Sequence, residues 1–505
     1  MNMQQFRNQF FHRLRISISE SRKENIFAIR VLAFILITLT AIVFRLYVSF
    51  SNELILGMDG GYYPVQVRSI LNTGFLGFND VPLYFYFCAS IVKIISFLGF
   101  TVTDELIISA IKTVDSAALP LLAIPLFKIV SRKERSVSIT AAMAILFYAI
   151  LSFTPFIILG DLQKNSFAIP LAFIFILFFE DYLINPVRSN LIAVLISLAI
   201  IALSHFGVFV FCLAFLIVSL FIIYRKKAIL PSLIIFFAGF ATIALFDFNR
   251  AFRLITFWNV IFDQPAIFQD PLPFPLLVNA LFSYFLAGFG ISQIRRYKNK
   301  LDKVSENMML TLIVLLTIFA FPLVDLQYFQ RFNILLFILQ LLLVAYLIQM
   351  NQKLAVTFSI SLVMLTTFSI FMYFSEEKKS CIDDETFQDL QNIKKYLPEN
   401  KENSIIIARH GLEFWTAWAL NVKVVQDRAM EKIELDKYSN VIFLQQKNED
   451  RQGRFGKGLL QKPGIRKGGH PPMEPGMGSP MGRPVPENFK LIYSSSNLNA
   501  YQKLN

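Results

Sequence analysis

Charge is scarce along this chain. Asp, Glu, Lys and Arg make up 16% of its 505 residues, whereas 55% are hydrophobic and the mean hydropathy is +0.55. A water-soluble chain carries about 25% charged residues, so water is not the solvent for most of this one. Cysteine is rarer still. Cys88, Cys212 and Cys381 stand far apart, with neither a metal-ligand spacing nor a disulfide framework. Only four histidines occur, and His205 alone lies in apolar sequence, which argues against a His-rich metal site. Internal repeats are lacking as well. The formal charge of +13 might suggest a polyanionic partner, but the basic residues sit in short loops between apolar runs. That is the positive-inside pattern of a membrane protein rather than a nucleic-acid surface.

What is abundant is phenylalanine, 54 residues of it, in long Phe/Leu/Ile runs from Ile26 to about Phe374. The first run, 26–50, has about 24 residues and can cross a ~30 Å hydrocarbon core. Arg7, Arg13, Arg15, Arg22 and Lys23 precede it, which places the N-terminus in the cytoplasm and marks 1–25 as a basic segment before a retained anchor. The run at 82–99 is short and carries Lys93. If it crossed, the basic loops 131–135 and 295–303 would fall outside, so it is read as a helix lying on the outer surface. Further spans are expected at 104–130, 136–156, 166–182, 191–203, 206–223, 230–246, 273–294, 308–321, 331–350 and 355–374. The fold class is thus an α-helical polytopic membrane protein of about eleven spans, with outer juxtamembrane helices. After Ser375 the composition turns polar. Residues 376–505 read as a small extracytoplasmic α/β domain, with buried strands at 404–408 and 440–444, a helix at 386–396 and a final strand pair at 490–493 and 500–504. Its Gly/Pro/Met-rich insertion, 451–488, cannot bury a core and is read as disordered.

On this topology the outer helix ends share a set of ionisable groups. Asp59 and Arg68 follow the first span within Gly57-Met58-Asp59-Gly60-Gly61-Tyr62-Tyr63-Pro64-Val65-Gln66-Val67-Arg68. Asp161 and Lys164 occupy a later loop, His205 separates two spans, and Arg250, Arg253, Asp325 and Arg331 lie further on. Charges at membrane depth cost several kcal/mol unless paired or hydrated, so they tend to line cavities. Each has a bland alternative. Asp59 and Asp161 could cap helices, Lys164 could reach to the interface, His205 could close a helix end, and Arg331 could be an interfacial anchor. Tyr62 and Tyr63 could be belt aromatics, Arg250 and Arg253 could belong to an amphipathic surface helix, and Lys112 and Asp115, three apart, are expected to pair with each other.

The Asp-x-x-Tyr-Tyr-x4-Arg pattern at Asp59, Tyr62, Tyr63 and Arg68 resembles the C-type (GT-C) glycosyltransferases, as do Pro82-Leu83-Tyr84, the second acidic loop at Asp161 and Arg331-Phe332 opening a late span. The resemblance covers roughly 26–350, mainly by layout. It implies a plasma- or inner-membrane enzyme that moves a sugar from a polyprenyl-phosphate carrier to a lipid, glycan or protein hydroxyl outside the bilayer, with Asp59 and Asp161 catalytic. Tyr62, Tyr63, Arg68, Lys164, His205, Arg253 and Arg331 would bind substrate. No cofactor is required and a divalent cation, Mg or Mn, is optional; Asp161 stands alone rather than in an Asp-x-Asp pair. The Trp-Trp-Asp acceptor motif of oligosaccharyltransferases is absent, Phe414-Trp415-Thr416-Ala417-Trp418 being no substitute. The rival classes are a transporter or flippase, for which repeats and mid-membrane broken helices are expected, and a membrane scaffold.

Overall fold

The computed structural model describes residues 28–131, 139–248, 251–252, 261–262, 265–268, 274–375, 378–398, 401, 403–447 and 485–504. Among these, eight helical stretches are long and apolar enough to cross a membrane, from Ala28–Phe50 to Lys353–Phe371. The 41-residue stretch Phe206–Phe246 contains two helices, Phe206–Tyr224 and Ile229–Phe246, separated by a tight turn over the basic residues Arg225, Lys226 and Lys227. The chain is a multi-pass membrane protein. Among the described candidate spans, Leu326–Met350 is the most enclosed, packed on every side from Leu336 to Ile348. Leu83–Phe97 has 15 residues, about 22 Å at 1.5 Å per residue, too short for a ~30 Å core. Its Tyr84, Phe85, Cys88, Ala89 and Val92 face inward instead, into a core shared with helices Tyr62–Thr73 and Asp104–Ala118 and with the C-terminal domain.

That domain carries a five-stranded sheet in the order β2-β1-β3-β5-β4, with β1 at Ser404–Ala408, β2 at Lys423–Gln426, β3 at Asn440–Gln446, β4 at Phe489–Ser494 and β5 at Leu498–Lys503. β1 pairs in parallel with β2 and β3, while β5 is antiparallel to β3 and β4. Side chains alternate along the strands. Ile406, Ala408, Ile442, Leu444, Leu498 and Ala500 join the core shared with the membrane domain, and Ile405, Ile407, Val441 and Phe443 form a second core on the far face. Helices Asp384–Ile393 and Leu412–Leu420 supply Leu390, Trp415 and Trp418 to the shared side. Most of the Gly/Pro/Met-rich insertion, 451–484, lies outside the described residues.

Two polar contacts differ from expectation and set the frame of the site. Lys112 does not pair with Asp115; its ammonium donates to the carbonyls of Asn52, at 2.5 Å, and Glu53, at 2.9 Å. Asp115 lies 3.6 Å from the fully buried Arg45, whose guanidinium also donates to the carbonyls of Asp115, Ser116 and Pro155. Magnitude explains the choice. A helical neighbour pair is worth about 0.2–0.5 kcal/mol, whereas a buried charge left unpaired costs about 3–5 kcal/mol.

The C-terminal sheet domain docks through a close backbone approach at Gly61, where a Cβ would come within 2.6 Å of the Trp415 amide nitrogen. Gly61→Ala is expected to lose about 1–3 kcal/mol of stability by overpacking. Thermal unfolding of the purified protein should show a lowered midpoint, with Gly288→Ala, whose Cβ meets nothing within 4 Å, as the unaffected control.

Candidate active site

The site is built on the loop between the first span and helix Tyr62–Thr73. Its backbone is held from two directions. Gly57 bridges to the start of the C-terminal domain: its amide donates to the Lys379 carbonyl at 3.1 Å and its carbonyl accepts from Cys381 N–H at 3.2 Å. On the other side Asp161 Oδ1 accepts from the amides of Met58, at 2.7 Å, and Asp59, at 3.2 Å. Gly57 is required where it stands, because its φ is +88° and a Cβ would fall 2.5 Å from the Asp161 Cβ.

Asp161 is fixed in turn. The Gly160 amide donates to Asp115 Oδ2 at 2.6 Å, so the buried Arg45–Asp115 pair sets the height of the second acidic loop. The Tyr63 hydroxyl donates to the Asp161 carbonyl at 3.2 Å and accepts from Gln163 N–H at 3.1 Å. Tyr84 reaches the Gln163 side chain at 2.7 Å. Lys378 donates to the carbonyls of Phe156 and Ile157, both at 2.8 Å, and to that of Leu159. Burial lowers this ammonium to about 8, against the opposing charges of Asp161 and Asp115. Asp161 does not cap the helix that follows: that helix begins at Gln163 with Leu162 at its N-cap.

Tyr62 and Lys164 converge on a carboxylate that the sequence reading passed over, Asp80. Lys164 forms an ion pair with it, and the Tyr62 hydroxyl donates to the same oxygen at 2.6 Å. Gln66 donates to Tyr62 at 2.8 Å and to the Phe78 carbonyl at 3.0 Å. Lys164 therefore points inward, over the rings of Tyr62 and Phe85, rather than reaching to the interface.

Asp59 itself is half-exposed. Its carboxyl is pushed up to about 6, first by burial, then by the Asp161 charge; Glu413 adds to this while His410 and Lys164 oppose it. The C-terminal sheet domain reaches the same carboxylate, with His410 Nε2 4.0 Å from Asp59 Oδ1. The His410 Nδ1 lies 2.9 Å from Glu413 Oε1, and Gln426 donates to that oxygen at 2.7 Å. A signal for these residues was present in the sequence: Arg409-His410-Gly411 follows a buried strand and opens a helix, and in α/β sheets ligands gather at the carboxyl ends of parallel strands.

The remaining expected site residues make other contacts. Arg68 is held by Asp104 at 2.9 Å and by the Trp418 carbonyl at 2.7 Å, its guanidinium 3.3 Å from the centroid of the Trp418 ring; it clamps the two domains together. His205 closes a helix end, its Nδ1 accepting from Val208 N–H at 3.1 Å. Arg331 is exposed near the start of helix Leu326–Met350 and forms no ion pair among the described residues. Arg250 and Arg253 lie outside the described residues.

No protein-family profile matches this chain, and no curated protein sequence does. Solved structures do. The Archaeoglobus fulgidus oligosaccharyltransferase, crystallised with zinc and sulfate, superposes with a TM-score of 0.53 at 13% identity, over 83% of this chain and 68% of that one. ArnT from Cupriavidus metallidurans is similar over 94% of this chain and 97% of its own at 9% identity, with TM-scores of 0.48 bound to undecaprenyl phosphate and 0.47 in the apo state.

The raised carboxyl has a consequence for stability. Between an ordinary carboxyl value of 3.8 and about 6 the folded chain binds the extra proton, so the Asp59 contribution to stability falls as pH rises through that window. Asp59→Asn should melt higher than wild type at pH 7.5, and the difference should vanish toward pH 4 in thermal unfolding across pH.

Proposed function

We propose that this chain, which has the fold of the GT-C glycosyltransferases, transfers a sugar from a polyprenyl-phosphate-linked donor to a hydroxyl group of a lipid, glycan or protein outside the membrane. The supporting observation is one half-exposed carboxylate, Asp59, raised to about 6 and held by the backbone grip of Asp161 at the end of the first membrane span. A general base works best when its pKa lies near the operating pH, and the fold supplies that condition here. The carrier's chain stays among the apolar helices while its sugar meets the acceptor at the surface. The N-terminus is then cytoplasmic and the C-terminal domain external, as the loop charges require.

The reaction balances without a further reactant. The acceptor oxygen forms a bond to the anomeric carbon as the bond from that carbon to the carrier phosphate breaks. The electron pair leaves with the phosphate, the hydroxyl proton passes to Asp59, and attack from the opposite face inverts the configuration. Asp161 positions the loop, Tyr63 ties the two acidic loops together, and Tyr62 with the Lys164–Asp80 pair lines the side of the site. We assign the donor phosphate to Arg331, whose planar fork can take two phosphate oxygens. Zinc accompanies the oligosaccharyltransferase neighbour, but the donor set here does not match a metal cage. No three His, Cys, Asp or Glu side chains gather for one among the described residues, and Asp161 Oδ1 is taken up by two amides. No step is therefore routed through a metal.

Purified protein in nanodiscs, given a panel of isoprenyl-phosphate hexoses and pentoses with a membrane extract as acceptor, tests this reading. Asp59→Asn is expected to lower transfer about 10²–10⁴-fold with its fold retained; unchanged turnover would overturn the base assignment. Arg331→Ala should raise KM for the donor more than for the acceptor, and equal effects on both would argue against the phosphate contact.

A further inference from the structure

The His410–Glu413 pair is placed where a soluble domain with a purely structural part would not need one. Glu413 is nearly enclosed, its side chain 5% exposed, and its Oε2 has no hydrogen-bond partner among the described residues. Its Oε1 receives His410 Nδ1 and the Gln426 amide. A carboxylate oxygen accepts only, so in the tautomer that hydrogen-bonds to Glu413 the proton sits on His410 Nδ1, which Gln426 Nε2 also approaches at 3.2 Å, and the Nε2 lone pair is left on the side of Asp59. The separation of 4.0 Å between Nε2 and Asp59 Oδ1 is too long for a direct hydrogen bond and short enough for one oxygen to bridge both atoms. Asp59 and His410 are 41% and 46% exposed, so the pair opens to water on one side while Glu413 closes it on the other.

We propose that His410, aligned by Glu413, is a positioning residue for the catalytic proton: it receives from Asp59 the proton taken from the acceptor hydroxyl and releases it to water. This rests on the reading of Asp59 as base. The step is a proton transfer alone. The Asp59 carboxyl loses its proton to Nε2 through the bridging oxygen, Asp59 returns to carboxylate, and the imidazolium is balanced by the Glu413 carboxylate until Nε2 gives the proton to solvent. The charged and titratable groups that bear on Asp59 come from several elements: Asp161 and Lys164 from the second acidic loop and the helix it opens, Tyr63 from the helix that follows Asp59, and His410 and Glu413 from the soluble domain. The soluble domain is then half of the centre, and its attachment to the Gly57 backbone keeps the two halves in register.

The test is histidine-selective 13C NMR of the full-length protein in nanodiscs from pH 5 to 9, with the His410 signal assigned by His410→Gln. Asp59→Asn and Glu413→Gln should each lower the His410 midpoint by about one pH unit, as loss of a neighbouring negative charge requires, while the His205 signal stays in place as the control for folding. A His410 midpoint unmoved by Asp59→Asn overturns the inference, whether or not transfer is ever observed. With the best-used isoprenyl-phosphate sugar, His410→Gln should move the acid limb of the kcat profile to higher pH, because Asp59 loses a neighbouring positive charge. A fall in rate with the limb unmoved would leave His410 a merely structural residue and also overturns it.

Discussion

One carboxylate oxygen, Asp161 Oδ1, holds the loop that carries Asp59 in place by accepting two successive backbone N–H groups. A carboxylate is not positioned by its own side chain alone; the peptide that carries it must be fixed first. Here the fixing group is a neighbouring acid, so the same residue that positions Asp59 also raises it. Asp161 thus fixes the position of Asp59 and adds its charge to the upward push that burial supplies first. Asp161 can do this only because Asp115, itself set by the buried Arg45, takes the Gly160 amide just before it.

The second constraint is the seam between the apolar helices and the C-terminal sheet domain. Arg68 stacks on Trp418 and pairs with Asp104, Gly61 admits the Trp415 backbone, and Gly57 adds a bridge to Ser380. Helices Tyr62–Thr73 and Leu83–Phe97, neither long enough to span, bury their apolar faces in the same core as β1 and β3. A juxtamembrane helix has lipid on one side and water on the other, so a protein domain above it is the natural cover. In this fold the cover also brings His410 Nε2 to 4.0 Å from Asp59 Oδ1.

Much of this was legible from residue order. The paucity of charge, the lengths of apolar runs and the placement of basic loops sufficed for a polytopic membrane fold, and short continuous apolar runs in polar sequence for a small sheet. Leu83–Phe97 was readable as a surface helix by length and loop charge. Asp59, Tyr62, Tyr63, Asp161 and Lys164 were candidates on chemistry and spacing, and the structure brings them together. Arg68 and His205 had the right chemistry for substrate contacts but serve a domain clamp and a helix end, because a guanidinium and an imidazole suit those tasks equally well. The Lys112–Asp115 pairing failed because a local spacing rule worth a fraction of a kcal/mol competes poorly with the demands of a buried guanidinium.

By itself, then, the sequence determined the solvent of each segment, since transfer of apolar and charged side chains between water and lipid is a property of composition and run length. It also determined which loops hold carboxylates. Only the tertiary structure decided which of those carboxylates face one another, because partners such as Arg45 with Asp115 and Asp59 with His410 are drawn from distant parts of the chain, and no local periodicity encodes a contact between separate elements. The proton affinity of Asp59 belongs to that second class, for it depends on burial and on charges contributed by two separated segments, 161–164 and 410–413.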